Sequence, residues 1–211
     1  MTEPTGPVTT VGQRYLLLAD ISGYTGFLAG VENAHGVDLA DEVPPGYALM
    51  GELLDALAGG VQPEFAVVKL EGDAVFATAP AATLDGRGAV VLARLRALHA
   101  AFRARRVATR QAQTHECSAC SLVERLDLKM VVHRGQAVRQ TVGSQTELLG
   151  PAVNVAHRLL KNTIAARIGY RPYLFLTDAA TEGLHLEGIG VEHREEYPDV
   201  GTIQGRVVEF G

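Results

Sequence analysis

Two aspartates stand where carboxylates could bind a metal ion together with phosphate groups. Asp20 directly follows the apolar run Tyr15–Ala19, and Asp73 lies just past the tip of a predicted hairpin. If that hairpin pairs beside the first strand, the two carboxylates converge, and paired hard oxygen ligands suit Mg²⁺ or Mn²⁺ bound with phosphates. Backbone N–H groups of the glycine-containing turn after Asp20 can hold phosphate oxygens. The alternative, that Asp20 caps a helix and Asp73 is a turn residue, stays open at this level.

A second set of polar residues recurs at helical spacing. Gly150, Asn154 and Arg158 line one flank of a helix that has Pro151 at a favourable first-turn position. The apolar stripe of the same helix consists of Val153, Ala156, Leu160 and Ile164. Arg158 could therefore reach a phosphate and Asn154 a ribose oxygen, whereas the competing interpretation is a solvated polar face.

The elements that position these residues are predicted from short apolar runs, which indicate strands, and from helical spacings between those runs. The first run, Tyr15–Ala19, is typical of a strand covered on both faces. Two hairpins are predicted, the first with Glu71-Gly72 near its tip and the second around Arg134-Gly135. The predicted strands of these hairpins are Phe65–Val68 with Ala74–Ala77, and Leu126–His133 with Gln136–Val142.

Helices alternate irregularly with these strands. We predict helices over Tyr47–Ala58, Ala89–Arg106, Ala152–Ile168 and Asp178–Leu184, and further strands over Tyr173–Leu176 and Arg206–Phe210. Because the order is mixed rather than a steady βαβα alternation, it predicts an α+β fold with a mainly antiparallel sheet under helices. The expected organisation is a disordered lead-in over residues 1–12, followed by a single domain over residues 13–211.

A polar segment at about residues 108–122 contains both cysteines of the chain and is predicted to be a loop. Cys117 and Cys120 form a C-x-x-C pair, and His115 could add a third zinc ligand. A fourth ligand would have to come from His133 or from a second protomer. Two reduced surface thiols are the alternative interpretation.

The composition limits the class of protein. Of the 211 residues, 47% are hydrophobic and 20% charged, and the net charge is −5. An acidic chain of this kind is not expected to bind nucleic acid. No apolar run is long enough for a membrane span, and residues 1–10 lack the pattern of a secretory signal. Two closely spaced cysteines do not make a disulfide framework, so a cytoplasmic location is predicted.

Three segments together resemble the signature motifs of class III adenylyl and guanylyl cyclase catalytic domains. They occur in the family's order, and the similarity extends loosely from about Tyr15 to Phe210. A bacterial branch of that superfamily, in which a cysteine-containing insertion precedes an LDLKxxxH-like strand, is also similar. The three segments are residues 19–25 (ADISGYT), 69–73 (KLEGD) and 150–158 (GPAVNVAHR).

The resemblance implies a ferredoxin-like antiparallel sheet flanked by helices, and an enzyme that closes a nucleoside triphosphate into a 3′,5′-cyclic nucleotide with loss of pyrophosphate. Two Mg²⁺ or Mn²⁺ ions would be held by Asp20, Asp73 and the Ile21 carbonyl. The phosphates would lie near Gly23, Tyr24 and Thr25. In this family the site forms across a homodimer, with the metal ligands on one protomer and the remaining groups on its partner.

The resemblance also assigns the remaining groups. Lys69 matches the base-reading lysine, and Glu147 falls where an acceptor for the adenine amino group usually stands. Asn154 matches the ribose-orienting asparagine and Arg158 the arginine that stabilises the pentavalent phosphorus. A further lysine near the C-terminus of the family, which contacts the triphosphate, has no clear match, and Arg206 is a candidate replacement.

The resemblance leaves open which nucleobase the substrate carries and whether the protein turns its nucleotide over. Lys69 favours a base with a ring acceptor such as adenine N1, so ATP is the leading substrate. Glu147 can equally accept from guanine, and its extra methylene could fill the space left by a pyrimidine, so GTP, UTP and CTP stay open. A nucleotide-binding regulator without turnover, or an interaction module built around the cysteine loop, are the alternatives to an enzyme.

Overall fold

The computed structural model describes residues 10–35, 45–112, 122–143, 145–169 and 172–210. In this part of the chain, eight strands form one sheet with helices on both faces. The strands are β1 (Thr10–Ser22), β2 (Ala66–Glu71), β3 (Ala74–Pro80), β4 (Asp127–Val142), β5 (Gln145–Leu149), β6 (Tyr173–Thr177), β7 (Val191–Tyr197) and β8 (Gly201–Glu209). The helices are α1 (Tyr24–His35), α2 (Pro45–Gly60), α3 (Ala81–Leu84), α4 (Gly88–Ala112), α5 (Pro151–Leu159), α6 (Ile164–Ile168) and α7 (Asp178–Leu184), with a 3-10 turn at Leu122–Arg125.

The strand order is β2-β3-β1-β4-β6-β8-β7, and β5 pairs with β4. The first four strands of this order, with β1 between β3 and β4, form a ferredoxin-like βαββαβ unit. Neighbouring strands are antiparallel except β4 and β6, which run parallel. The predicted α+β fold with a mainly antiparallel sheet is therefore confirmed.

Strand β1 is buried on both faces, which explains its continuous apolar sequence. Leu17 and Ile21 pack into a large cluster with residues of α2 and α4, such as Leu53 and Leu95. Leu16 and Leu18 point to the opposite face and pack against α5. Asp20 has the same parity as Leu18, so its side chain belongs to the α5 face of the sheet.

The predicted second hairpin is wrong, because β4 is one continuous strand across Arg134 and Gly135. Gly135 pairs with Arg14 of β1 in regular register. A Cβ at Gly135 would lie 2.6 Å from the Cβ of Ala152, so the glycine allows α5 to approach the sheet rather than forming a turn. The chain reverses later, at Gly143 with φ 61°, and continues as β5, which the sequence patterns did not predict.

The predicted helix over Ala152–Ile168 is divided into α5 and α6. The Asn162 side chain donates to the Leu159 carbonyl at 2.7 Å and accepts from the Ile164 N–H at 3.0 Å. These local bonds satisfy backbone groups that would otherwise continue the helix. The break therefore ends α5 shortly after Arg158.

Several element boundaries and one whole strand also differ from the predictions. Helix α4 continues to Ala112, so residues 108–112 are helical rather than part of a loop. Residues 10–12, expected in the lead-in, belong to β1. Strand β7 was not predicted because its sequence, VEHREEY, is polar, as suits the last strand of the sheet order.

Candidate functional site

The fold brings Asp20 and Asp73 together at the end of β1. Asp20 pairs in register with Ala74 of β3, directly after Asp73, and the Ile21 N–H donates to the Asp73 carbonyl at 3.1 Å. Asp20 is buried, with 8% of the residue exposed, and its carboxylate forms an ion pair with the Lys129 ammonium at 2.8 Å. Burial, and then the nearby charge of Asp20, raise the pKa of Asp73. Part of this rise comes from the Asp20 charge, as expected for two carboxylates that lie near each other.

Two converging carboxylates of this kind fit a divalent cation. In the described ranges no group of three or more His, Cys, Asp and Glu side chains is arranged to hold a metal. Mg²⁺ bound with phosphates needs only one or two carboxylates, because water and phosphate oxygens complete its octahedral shell. The donor set is therefore suited to an ion that arrives with a phosphorylated ligand.

Gly23, Tyr24 and Thr25 lie at the start of α1, immediately after β1. Gly23 has φ 89°, a conformation that favours glycine, and its carbonyl accepts the first helical bond from Phe27 at 2.9 Å. Tyr24 and Thr25 follow at the N-terminal end of the helix, where unpaired backbone N–H groups are available to an anion.

Lys69 and Glu147, which are 78 positions apart, meet in space. The Lys69 ammonium is 3.5 Å from Glu147 and 3.0 Å from Glu71. Its hydrogen bond with Glu71 raises the pKa of Lys69, so the ammonium is charged at neutral pH. All three side chains are partly exposed.

Asn154 and Arg158 line one pocket of about 490 Å³ beside α5, together with His157, Lys161, Asp199 and Val200. Helix α5 begins after Gly150, whose φ of 126° suits glycine, and has Pro151 in its first turn, as the sequence predicted. Arg158 forms an ion pair with Asp199 of the β7–β8 turn. A guanidinium and an ammonium in one pocket, with a single carboxylate, favour a polyanionic ligand.

Sequence reasoning missed several of these contacts. Lys129 follows only from the register of β4 against β1, and Asp199 only from the position of the β7–β8 turn. His157 shows no ligand spacing, yet its Nδ1 is 3.2 Å from Glu71. Arg206, the candidate replacement for the C-terminal lysine, pairs with Glu192 and lines a different pocket from Arg158.

The predicted zinc ligands His115, Cys117 and Cys120 lie outside the described residues, so zinc binding stays a prediction. The proposed fourth ligand, His133, is directed to Thr177, with Nδ1 3.0 Å from Oγ1. Among the described residues, no helix is both long and apolar enough to span a membrane.

Comparison with known sequences identifies a family. Residues 50–168 match the model of the family described as "Protein of unknown function (DUF2652)". Over 167 residues, the chain is 30% identical to the uncharacterized protein Rv2561/Rv2562 of Mycobacterium tuberculosis, covering 73% of each chain.

Comparison with known structures identifies the fold as that of class III adenylyl and guanylyl cyclase domains. A bacterial light-regulated adenylyl cyclase superposes with a TM-score of 0.65 at 15% identity over 96% of this chain, which spans about half of that protein (53%). The adenylyl cyclase CyaB from P. aeruginosa gives a TM-score of 0.65 at 15% identity, covering 95% of this chain and 96% of the other. The guanylyl cyclase Cya2 gives 0.61 at 14% identity, covering 96% and 94%.

Proposed function

The chain belongs to the DUF2652 family of proteins of unknown function, and we propose that it is a nucleotidyl cyclase that converts a nucleoside triphosphate, with ATP as the leading substrate, to a 3′,5′-cyclic nucleotide and pyrophosphate. The observation that carries the proposal is the contact of Lys69 with Glu147 at 3.5 Å, across 78 positions. These are the two residues to which the motif resemblance gives base recognition. Their meeting supports a nucleotide site in a chain with the cyclase fold.

The site is proposed to divide into two groups. The acidic group is Asp20, Asp73 and the Ile21 carbonyl, which would hold two Mg²⁺ or Mn²⁺ ions next to the phosphates at Gly23–Thr25. The nucleotide group is Lys69 and Glu147 at the base, Asn154 at the ribose and Arg158 at the α-phosphate. Asp20 pairs with Lys129 whereas Lys69 pairs with Glu71 and Glu147, so the two groups have separate ion-pair partners within the described ranges.

Ring closure requires the ribose 3′-oxygen to attack the α-phosphorus in line with the departing pyrophosphate. When bound, the divalent ions would supply acidification of the 3′-hydroxyl and neutralisation of the pyrophosphate charge. Asn154 would orient the ribose so that its 3′-oxygen faces the phosphorus. Arg158 would exchange Asp199 for the charge that develops on the α-phosphoryl oxygens, which makes it the main protein group for transition-state stabilisation.

Separate groups for metal and nucleotide support a homodimer in which each protomer completes the other's site. The acidic group of one protomer would face the nucleotide group of its partner across a shared cleft. Each dimer would then contain two equivalent sites, as a symmetric interface requires.

Turnover with each of ATP, GTP, CTP and UTP, in the presence of Mn²⁺ and with mass detection of the cyclic product, tests the proposal. We expect a cyclic nucleotide and stoichiometric pyrophosphate from at least one of the four, and loss of both in Asp20→Asn. Arg96 is exposed on α4, so Arg96→Ala serves as the control variant. Binding without product would support a regulator instead, and neither binding nor product would contradict a nucleotide site altogether.

A further inference from the structure

Four polar side chains form a continuous chain of contacts at the base-reading end of the site. The order of contacts is Glu147, Lys69, Glu71, His157, with separations of 3.5, 3.0 and 3.2 Å. Their side chains are between 27% and 42% exposed, so a ligand can reach them. Glu71 and His157 have no role in the function proposed above.

His157 holds Glu71 in place. Its ring packs on Phe76, with ring centroids 5.0 Å apart, and Phe76 is buried in the core between β3 and α5. Nδ1 of this supported ring contacts one carboxylate oxygen of Glu71, and Lys69 contacts the other. Since Lys69 and Glu71 are two positions apart on β2, their side chains lie on the same face of the sheet.

The hydrogen-bonding character of this group is acceptor, donor, acceptor. Lys69 can only donate, whereas the carboxylates of Glu147 and Glu71 can only accept. Because the ammonium lies between the two carboxylates, the complementary edge of a ligand must present a donor, an acceptor and a donor in that order.

The edges of the nucleobases differ in how well they match. Adenine presents its 6-amino donor and its N1 acceptor in the required order, and a 2-amino group would supply the third element. Uracil presents the inverse pattern, so both carboxylates would face carbonyl oxygens. Cytosine places its 2-carbonyl oxygen against one carboxylate. Lys69 can donate to guanine O6 while one carboxylate accepts from N1–H, but the other carboxylate then lies beside N7, which is another acceptor. A base that covers these side chains and leaves their polar atoms without a partner is rejected.

We propose, on the basis of the proposed function, that Glu71 is a specificity-determining residue of the nucleotide site. With Glu71 the site would select a 6-aminopurine triphosphate and reject pyrimidines. It would also bind a 2-amino derivative more tightly than ATP. Glu147 would accept from the 6-amino group, Lys69 would donate to N1, and Glu71 would accept from the 2-amino group. His157 acts as a positioning residue for Glu71.

Equilibrium binding and steady-state kinetics with ATP and with 2,6-diaminopurine riboside triphosphate test this assignment. In the wild-type protein with Mn²⁺, we expect the diamino nucleotide to bind about tenfold more tightly than ATP, the effect of one added hydrogen bond to a charged acceptor. Glu71→Ala should abolish that difference and bring UTP closer to ATP in kcat/KM. Glu182 is exposed on α7, so Glu182→Gln should keep the wild-type preference.

The outcomes separate this inference from the proposed function. If no triphosphate yields a cyclic product, the proposed function fails, while calorimetric binding of the two nucleotides still tests the role of Glu71. Equal affinity of the wild-type protein for both nucleotides would overturn the inference, and so would an unchanged preference in Glu71→Ala. The wild-type comparison does not depend on whether the variant folds.

Discussion

Asp73 is a residue at which function and stability oppose each other. Burial and the charge of Asp20 raise its pKa, which means that the folded protein binds a proton at this carboxylate more tightly than the unfolded chain does. The charged form therefore destabilises the metal-free protein at neutral pH. This loss in the free energy of unfolding is complete above the raised pKa of Asp73. It disappears as the pH falls below the ordinary pKa of an aspartate.

Asp73→Asn should therefore raise the melting temperature of the protein in chelator at pH 7, and the gain should shrink as the pH is lowered toward 4. The backbone bond from Ile21 is retained, since it uses the Asp73 carbonyl. Mn²⁺ with a triphosphate should stabilise the wild-type protein but not the variant. Asp55→Asn, on the exposed face of α2, is the control. A variant that melts below the wild-type protein in chelator at pH 7 would contradict this account of the acidic pair.

Arg158 is expected to act in the transition state rather than in ground-state binding. Arg158→Ala should lower kcat by about 10² to 10³, or roughly 2.7–4 kcal/mol, the loss seen when one preorganised donor is removed. The affinity for the triphosphate should change much less, because the metal-bound phosphates and the base keep their contacts. Turnover near the wild-type value, measured beside Arg96→Ala, would remove Arg158 from the mechanism.

At this scale the sequence identified candidate residues but not their partners. Lys69 and Glu147 could be predicted as a pair through the motif resemblance, and they do meet. Lys129, Glu71 and Asp199 could not, because their contacts depend on strand register and on a turn between strands that lie far along the chain. Such long-range contacts leave no local periodicity.

The position of helix α5 determines where Asn154 and Arg158 of the nucleotide group lie. That position depends on a close approach of the helix to the sheet. Ala152 lies over Gly135 of β4, where an added Cβ would come within 2.6 Å of the Ala152 Cβ and 3.1 Å of the His133 ring. The geometry thus requires glycine for space and not for a turn. This is why the Arg134-Gly135 pair led to a wrong hairpin prediction.

Gly135→Ala should force α5 away from the sheet and cost about 1–3 kcal/mol of stability, the usual effect of overpacking. It should also reduce kcat, because Asn154 and Arg158 move with the helix. Gly12→Ala is the matched control on β1, since nothing lies within 4 Å of its added Cβ. Chemical denaturation of both variants measures the difference; equal stability would show that α5 is not seated on Gly135.

Among the elements, the strongly patterned ones were predictable and the polar ones were not. The runs at β1 and β6 are buried on both faces, and α7 matched its predicted bounds of Asp178–Leu184. Within the described ranges, β7 is the last strand of the sheet order and β5 pairs with β4 alone, and neither strand carries an apolar alternation in its sequence. The break between α5 and α6 depends on the side-chain bonds of Asn162, which hydrophobic periodicity does not encode.

For the whole molecule, the central claim is that one protomer supplies the acidic group and its partner the nucleotide group. Mixing Asp20→Asn with Arg158→Ala tests this claim, because each variant retains the group that the other lacks. Random reassortment makes about half of the dimers mixed, each with one intact site of two, so about a quarter of wild-type activity is expected after mixing two inactive proteins. If the mixture stays as inactive as its components although the subunits exchange, the shared-site account is contradicted.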